Sequence, residues 1–282
     1  MLASQTLAVL GGLILFPTVL LEHSPRVSLQ VIQSDEAPHS STEVDHRRIV
    51  NARLSPYSAI GRFRGTMMCT AAIILNPRII VTAAHCVTER DGTTRRSSLS
   101  FQPGYQTGTD LGRFQATVWA VGSMQSFTHE TVYAASRDWA LLILDRAPQG
   151  VRPLLLNHRS LKALKSLERQ VLLPAYSNDV VSAEVLSVDP ACTVRDLVWD
   201  ALVHTCAARS GASGAPLLVQ DGSGYSVVGI YTASMFARDE DGHVAEFIGN
   251  QAIASWMFSN AAIALSRRLD DAPALTLSSG DY

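Results

Sequence analysis

The sequence predicts an all-β fold that ends in one α-helix. Short runs of β-branched and apolar residues recur along the chain, separated by turn-forming residues: 69–75 (CTAAIIL), 78–83 (RIIVTA), 116–121 (ATVWAV), 139–144 (WALLIL), 170–174 (QVLLP) and 225–232 (YSVVGIYT). Helical periodicity is credible only near the end, where residues 251–265 place Ile253, Trp256, Met257 and Ala264 near one face. Many of the β-type runs are continuously apolar rather than alternating. That suits strands covered on both faces, inside a barrel or between two sheets.

The elements are set within a chain that divides by composition. Residues 1–21 carry no charged side chain, and Leu7 to Leu21 has about the length of a signal-peptide core. The stretch is short for a bilayer span and lacks a basic flank, so it is read as a signal peptide or an N-terminal anchor. Residues 22–48 are polar and turn-rich, with Pro25, Pro38 and the run Ser40-Ser41-Thr42, and read as a pro-segment or linker with no core of its own. The globular part is expected over 49–266. Residues 267–282 are expected to form a flexible tail, acidic and Ser-rich from 269 onward.

Of the 282 residues, 47% are hydrophobic and 17% charged, so a sizeable core is available and wholesale disorder is excluded. The net charge of −2 leaves no domain-wide basic field, and Arg47-Arg48, Arg95-Arg96 and Arg267-Arg268 are only pairs, so no nucleic-acid partner is expected. The four cysteines fit an exported, oxidising setting. Three pairings are open, and proximity in sequence favours Cys69–Cys86 and Cys192–Cys206, each worth roughly 3 kcal/mol by chain entropy. No C-x-x-C or H-E-x-x-H spacing points to a metal site.

Three segments carry chemistry. In Ser210-Gly-Ala-Ser-Gly-Ala-Pro216, Gly211 and Gly214 flank Ser213 and permit a tight turn. Such a turn aims the amides of Gly211 and Ser213 at one point, where an oxyanion would be received. In Ile79-Ile-Val-Thr-Ala-Ala-His-Cys-Val87, an apolar strand ends at His85, beside a cysteine, where an imidazole is held to serve as a base. In Arg137-Asp-Trp-Ala-Leu-Leu-Ile-Leu-Asp145, Asp138 stands at the mouth of an apolar strand, where a carboxylate needs a partner and a histidine N–H supplies one. Each segment alone also reads as a structural loop or a strand cap. Asp145 is taken as a surface residue, and the remaining histidines as backbone-bonded or solvated.

Together the segments T-A-A-H-C, D-x-A-L-L-x-L and G-x-S-G-A-P, in that order, resemble the trypsin and chymotrypsin superfamily. The likeness is strongest to its bacterial glutamyl-endopeptidase-like branch, through Tyr57-Ser-Ala-Ile-Gly-Arg62, Cys69-Thr70 and the short spacings from Asp138 and Cys206 to Ser213. The resemblance implies two packed six-stranded antiparallel β-barrels followed by a C-terminal helix. It implies His85, Asp138 and Ser213 as catalytic residues, an oxyanion hole at Gly211 and Ser213, and the Cys69–Cys86 disulfide. It further implies a secreted or periplasmic serine endopeptidase acting as a monomer on proteins or peptides, without cofactor or metal. Membrane association is expected only if the leader stays uncleaved. A catalytically silent binding or regulatory protein on the same scaffold is the alternative.

Two departures from the family pattern matter. Ala212 precedes the nucleophile where trypsin-like zymogens carry an aspartate, so cleavage before Ile49-Val50 is expected to trim the pro-segment without operating their ion-pair switch. The specificity pocket aligns with Ala207 and Ala208 at its base and Tyr231, Thr232, Ala233 and Ser234 on its wall. No carboxylate aligns with the base, so strict preference for Arg or Lys is not expected. Tyr231 stands where glutamyl endopeptidases use a histidine, and either binds a polar side chain or fills the pocket.

Overall fold

The computed structural model describes residues 28–32, 45–89, 92–95, 98–122, 137–166, 171–222, 224–239, 241 and 243–271. The stretches read as a leader, as most of a pro-segment and as most of a tail (1–27, 33–44 and 272–282) lie outside these residues.

Two short strands, β1 (Ser28–Ile32) and β2 (Arg48–Ile49), precede the first half of the fold. That half consists of β3 (Ile60–Arg64), β4 (Met68–Ile73), β5 (Ile79–Thr82), β6 (Ser100–Pro103), β7 (Phe114–Val121) and β8 (Ala140–Leu144). They form a closed antiparallel barrel in the order β3-β4-β5-β8-β7-β6. The apolar runs of β4, β5 and β8 supply its core, with Ile73, Ile80, Val81, Leu141 and Leu142 fully buried among Phe63 and Phe101.

The second half contains β9 (Leu155–Leu156), β10 (Val171–Ala175), β11 (Ser187–Cys192), β12 (Val194–Val198), β13 (Ala201–His204), β14 (Pro216–Asp221), β15 (Gly224–Arg238) and β16 (Val244–Ala254). Its strands run in the order β12-β13-β16-β15-β14-β10-β11-β2. Only Thr193 separates β11 from β12, and it exchanges bonds with Thr205: its amide donates to Thr205 Oγ1 at 3.0 Å and its carbonyl accepts from the Thr205 amide at 3.0 Å. The chain itself therefore closes this ring. Counted as one bent strand, β11–β12 joins β10, β13, β14, β15 and β16 in the second expected barrel.

Strand β14 explains why the apolar runs are continuous. Leu217 and Val219 face the core of the second barrel, whereas Leu218 between them joins the larger cluster that spans both halves. A polar staple crosses the same interface. Arg62 of β3 donates to Glu184 Oε1 at 2.7 Å and stacks on the Tyr105 ring, Tyr105 donates to Glu184 Oε2, and Tyr176 donates to the Tyr105 carbonyl at 2.7 Å. The bond from Tyr105 is the main cause of a lowered Glu184 pKa, and the Arg62 cation adds to it.

Helix structure departs from expectation in three respects. A short helix, α1 (Leu161–Lys165), was not foreseen; Ser160 caps it by accepting from the Ala163 amide at 3.3 Å. The terminal helix α2 spans Trp256–Asp270, so residues 251–254 belong to β16 and Ile253 is a strand residue. Its buried residues are Phe258, Ser259, Ala262 and Leu265; of the expected face, Trp256 and Met257 are partly buried against the cores and Ala264 is exposed. Lining up Ile253 with the helix rotated the reading, because a strand residue entered a 3.6-residue period. The helix also continues through Asp270, past the point where the tail was expected to begin.

Strand boundaries fall within a residue or two of the expected runs, except that β15 continues six residues beyond Thr232 to Arg238. The pro-segment was expected to hold no ordered core element, yet β1 lies within it and pairs with the far end of β15.

Candidate active site

The pairing register brings His85 and Asp138 together. Strands β5 and β8 are antiparallel with Thr82 opposite Ala140, so the exit of one adjoins the entry of the other. A single 3-10 turn, Ala84–Cys86, then carries His85, and Asp138 lies just before β8. Asp138 binds the histidine twice. Oδ1 accepts from the His85 amide at 2.9 Å, and Oδ2 lies 2.6 Å from Nδ1. An ionised carboxylate only accepts, so Nδ1 carries the proton and the neutral ring keeps its lone pair on Nε2. The turn is clamped by the disulfide Cys69–Cys86, and Thr66 Oγ1 donates to the His85 carbonyl at 2.9 Å.

The turn that carries Ser213 comes from the other half and is fastened to the first. The Thr70 amide donates to the Ser213 carbonyl at 2.9 Å, and Thr70 Oγ1 donates to the Gly211 carbonyl at 2.9 Å while accepting from the Tyr176 amide at 3.0 Å. The Cys86 sulfur lies 4.0 Å from the Ser213 carbonyl oxygen, which sets Ser213 beside the turn that carries His85. His85 is 3% exposed, Ser213 2% and Asp138 9%, so all three sit largely out of solvent.

Both glycines of this turn are required. Gly214 has φ of 82°, and a Cβ there would lie 2.1 Å from Thr82 Oγ1 and 2.3 Å from the Thr70 carbonyl. Gly211 has φ of 91°, and a Cβ would lie 2.4 Å from the Tyr176 carbonyl. The Ser210 carbonyl accepts from the Asn178 amide at 2.7 Å, and the Ala212 carbonyl from the Ala215 amide at 2.8 Å. In a trans peptide the N–H points opposite to the C=O, so tying back these carbonyls turns the N–H groups of Gly211 and Ser213 the other way.

The residues aligned with a specificity pocket are all buried. Tyr231 packs in the second core with Ala208 and Ala212, and its ring meets His204 edge-on with centroids 6.0 Å apart. The Tyr231 hydroxyl lies 3.5 Å from Ser234 Oγ, which donates to Asn250 Oδ1 at 2.7 Å. His204, read from sequence as an ordinary backbone-bonded histidine, accepts at Nδ1 from the Cys206 amide at 3.2 Å. Burial lowers its pKa from 6.5 to about 3, so it is neutral in the folded protein.

Two residues of this region escaped the sequence reading. Thr70 was noted only beside Cys69, yet it joins both halves at the Ser213 turn. Asp189 on β11 is buried, and its Oδ2 accepts from the Ala207 amide at 2.8 Å. Ala207 therefore rests against a carboxylate distant in sequence. Both Cys69–Cys86 and Cys192–Cys206 form, the second at the bend that leads into Ala207. Asp145 is exposed and pairs with Arg146 at 2.7 Å. Among the described residues no helix is long and apolar enough to cross a membrane.

A closed barrel, a second sheet ringed by its own chain and a terminal helix define the chymotrypsin-like fold. The sequence model of the trypsin-like peptidase domain matches residues 69–230, and the chain belongs to that family. No curated protein sequence matches it. Among solved structures, the chain is similar to a Glu endopeptidase, with a TM-score of 0.58 and 22% identity over 78% of this chain and 97% of that one. It is also similar to the protease Anisep from Arthrobacter nicotinovorans, with a TM-score of 0.50 and 14% identity over 77% of this chain and 99% of that one. A thermostable serine protease from an extremophilic microorganism gives a TM-score of 0.50 and 14% identity over 76% of this chain and 98% of that one. These likenesses establish the fold, and membership of a peptidase family supports protease function.

Proposed function

We propose that the chain is an exported serine endopeptidase in which Ser213 is the nucleophile, His85 the general base and Asp138 the group that orients and charges against the imidazole. The observation that carries this reading is the pair of hydrogen bonds that Asp138 accepts from His85, set beside a serine turn with both flanking carbonyls tied back. With Nδ1–H held by Asp138, Nε2 is the atom that takes the Ser213 hydroxyl proton as Oγ attacks the scissile carbonyl. The N–H groups of Gly211 and Ser213 receive the oxyanion, at roughly 3–4 kcal/mol per donor. His85 then returns the proton to the leaving amine, and water clears the acyl-enzyme by the same route.

The chemistry needs no cofactor from the solvent, and the substrate class is proteins and peptides. The Glu endopeptidase likeness does not carry over to the cleavage preference, because Tyr231 is a buried ring in the second core. The two disulfides fit export to the periplasm or the medium. A fluorophosphonate probe tests the reading directly. Ser213 is expected to be labelled, and Ser213→Ala to abolish labelling. A folded sample that takes up no probe would instead be a binding or regulatory protein on this scaffold.

A further inference from the structure

An arginine just ahead of β2 is gripped in a way that the catalytic reading does not use. Arg47 belongs to the stretch read from sequence as a pro-segment, yet its side chain is only 8% exposed. Its guanidinium is filled from both sides. Nε donates to Asp45 Oδ1 at 3.0 Å and Nη2 to Asp45 Oδ2 at 2.7 Å, while Nη1 and Nη2 donate to Asp179 Oδ1 and Oδ2 at 2.9 and 2.5 Å. Each carboxylate is held at two points by a planar fork, which a lysine ammonium does not reproduce. The Arg47 bond is also the main cause of a lowered Asp45 pKa, and the cation of Arg209, next to Ser210 in the chain, adds to it.

Asp179 gives this grip its target. Residues 177–180 form one tight turn, closed by the Val180 amide donating to the Ser177 carbonyl at 3.0 Å, with Asn178 and Asp179 at its centre. Asn178 holds the serine loop: its amide donates to the Ser210 carbonyl at 2.7 Å and its Nδ2 to Ser210 Oγ at 3.0 Å. Tying back that carbonyl is what turns the Gly211 N–H the other way. After the turn, Val181, Ser182 and Ala183 have φ of 48°, 52° and 57°, three consecutive residues in the left-handed region that L side chains disfavour. Such a run relaxes unless its ends are pinned. Glu184 pins the far end through Arg62 and Tyr105, and Asp179 pins the near end through Arg47.

We infer that Arg47 is a positioning residue for the Gly211 amide, acting through Asp179 and Asn178, and that the working enzyme therefore retains residues 45–48. This rests on the serine endopeptidase reading. The link runs from Arg47 to Asp179 by an ion pair, from Asp179 to Asn178 along the chain, and from Asn178 to Ser210 by two hydrogen bonds. Strand β2 sets where Arg47 stands, because Arg48 pairs with Val188 and Ile49 with Ser187. A cut after Arg48 parts Arg47 from Ile49 and from the chain that follows. Such a cut lowers activity, the opposite of what a trypsin-like zymogen gains from cleavage before an Ile-Val pair. The organising cation is an internal side chain, so a freed α-amine has no part in it.

The test compares the full chain with Arg47→Met, Arg47→Lys, Asp179→Asn and the double variant Arg47→Met/Asp179→Asn, each assayed well below its melting temperature. Arg47→Met is expected to lower kcat for peptide hydrolysis on the order of ten-fold, with KM changed by less than about two-fold, as a displaced oxyanion donor does. Arg47→Lys should recover only part of that loss. Asp179→Asn keeps the shape of the side chain and should lose as much as Arg47→Met. The double variant should be no worse than either single one, because the two residues act as a unit. The fluorophosphonate-labelled unaltered protein, weighed intact, should begin at or before Asp45. Melting temperatures that fall while kcat stays unchanged in both single variants overturn the inference alone. So do losses that multiply in the double variant, and so does a fully active labelled protein that begins at Ile49. Failure of the unaltered chain to take up probe overturns the endopeptidase reading instead.

Discussion

The two barrels solve closure differently. In the first, backbone bonds run all the way round β3-β4-β5-β8-β7-β6, and His85 and Asp138 lie at the adjoining ends of two adjacent strands of that one ring. In the second, the ring depends on the bend at Thr193, with the Cys192–Cys206 disulfide at the same corner. Its Ser213 turn gets much of its position from outside, through Thr70 and the close approach of Gly214 to Thr82. The comparison teaches that the His85–Asp138 pair is a property of one barrel, whereas the placing of Ser213 is a property of the interface.

The largest expected effect falls within the first barrel. Asp138→Asn should reduce kcat about 10⁴-fold with little change in melting temperature, because the amide holds the wrong imidazole tautomer. A loss below ten-fold in steady-state peptide hydrolysis would remove Asp138 from the mechanism.

Next is the corner of the second barrel. Replacing Cys192 and Cys206 together by alanine should cost roughly 3 kcal/mol of unfolding free energy in urea. If the bend is what closes the ring, that loss is accompanied by a raised KM, since Ala207 follows directly. A stability loss with unchanged KM would mean that the Thr193–Thr205 bonds suffice.

The interface comes third. Thr70→Val leaves the Gly211 carbonyl and the Tyr176 amide without their buried partner, at about 1–3 kcal/mol. It should lower kcat ten- to a hundred-fold, as a small misplacement of the nucleophile does, and Thr70→Ser should restore most of it. Equal losses in the serine and valine variants would show that packing rather than the hydroxyl matters.

The fourth effect is a pH dependence. The unfolded chain protonates His204 near pH 6.5 but the folded chain only near pH 3. Between these values the unfolded state binds more protons, so stability falls as the pH drops from about 6.5 toward 3, by up to ~1.4 kcal/mol per unit. His204→Gln should flatten the acid limb of a stability–pH curve. An unaltered slope would assign that limb to other groups.

The pattern of legibility follows the same division. His85, Asp138 and Ser213 stood out because each lies at the junction of an apolar run with a polar or glycine-rich turn, a local contrast that one strand and its loop create. Strands β4, β5 and β8 were readable because burial on both faces leaves mostly apolar residues in them. Less was legible where an element owes its place to a distant partner: the weakly patterned strands β3, β6 and β12, the helix face of α2, and β1 inside a polar segment.

By itself the sequence determined the chemical groups and the apolar runs that must be covered on both sides. Those depend on side-chain type and short spacing, which are present in the chain before it folds. Only the tertiary structure decided that Thr70 would hold Ser213, that Asp189 would lie beneath Ala207, and that Ser28–Ile32 would pair along β15. Each of these is a hydrogen bond or a register between segments far apart. Polar groups that satisfy one another across such distances leave no periodicity or composition by which either could be read alone.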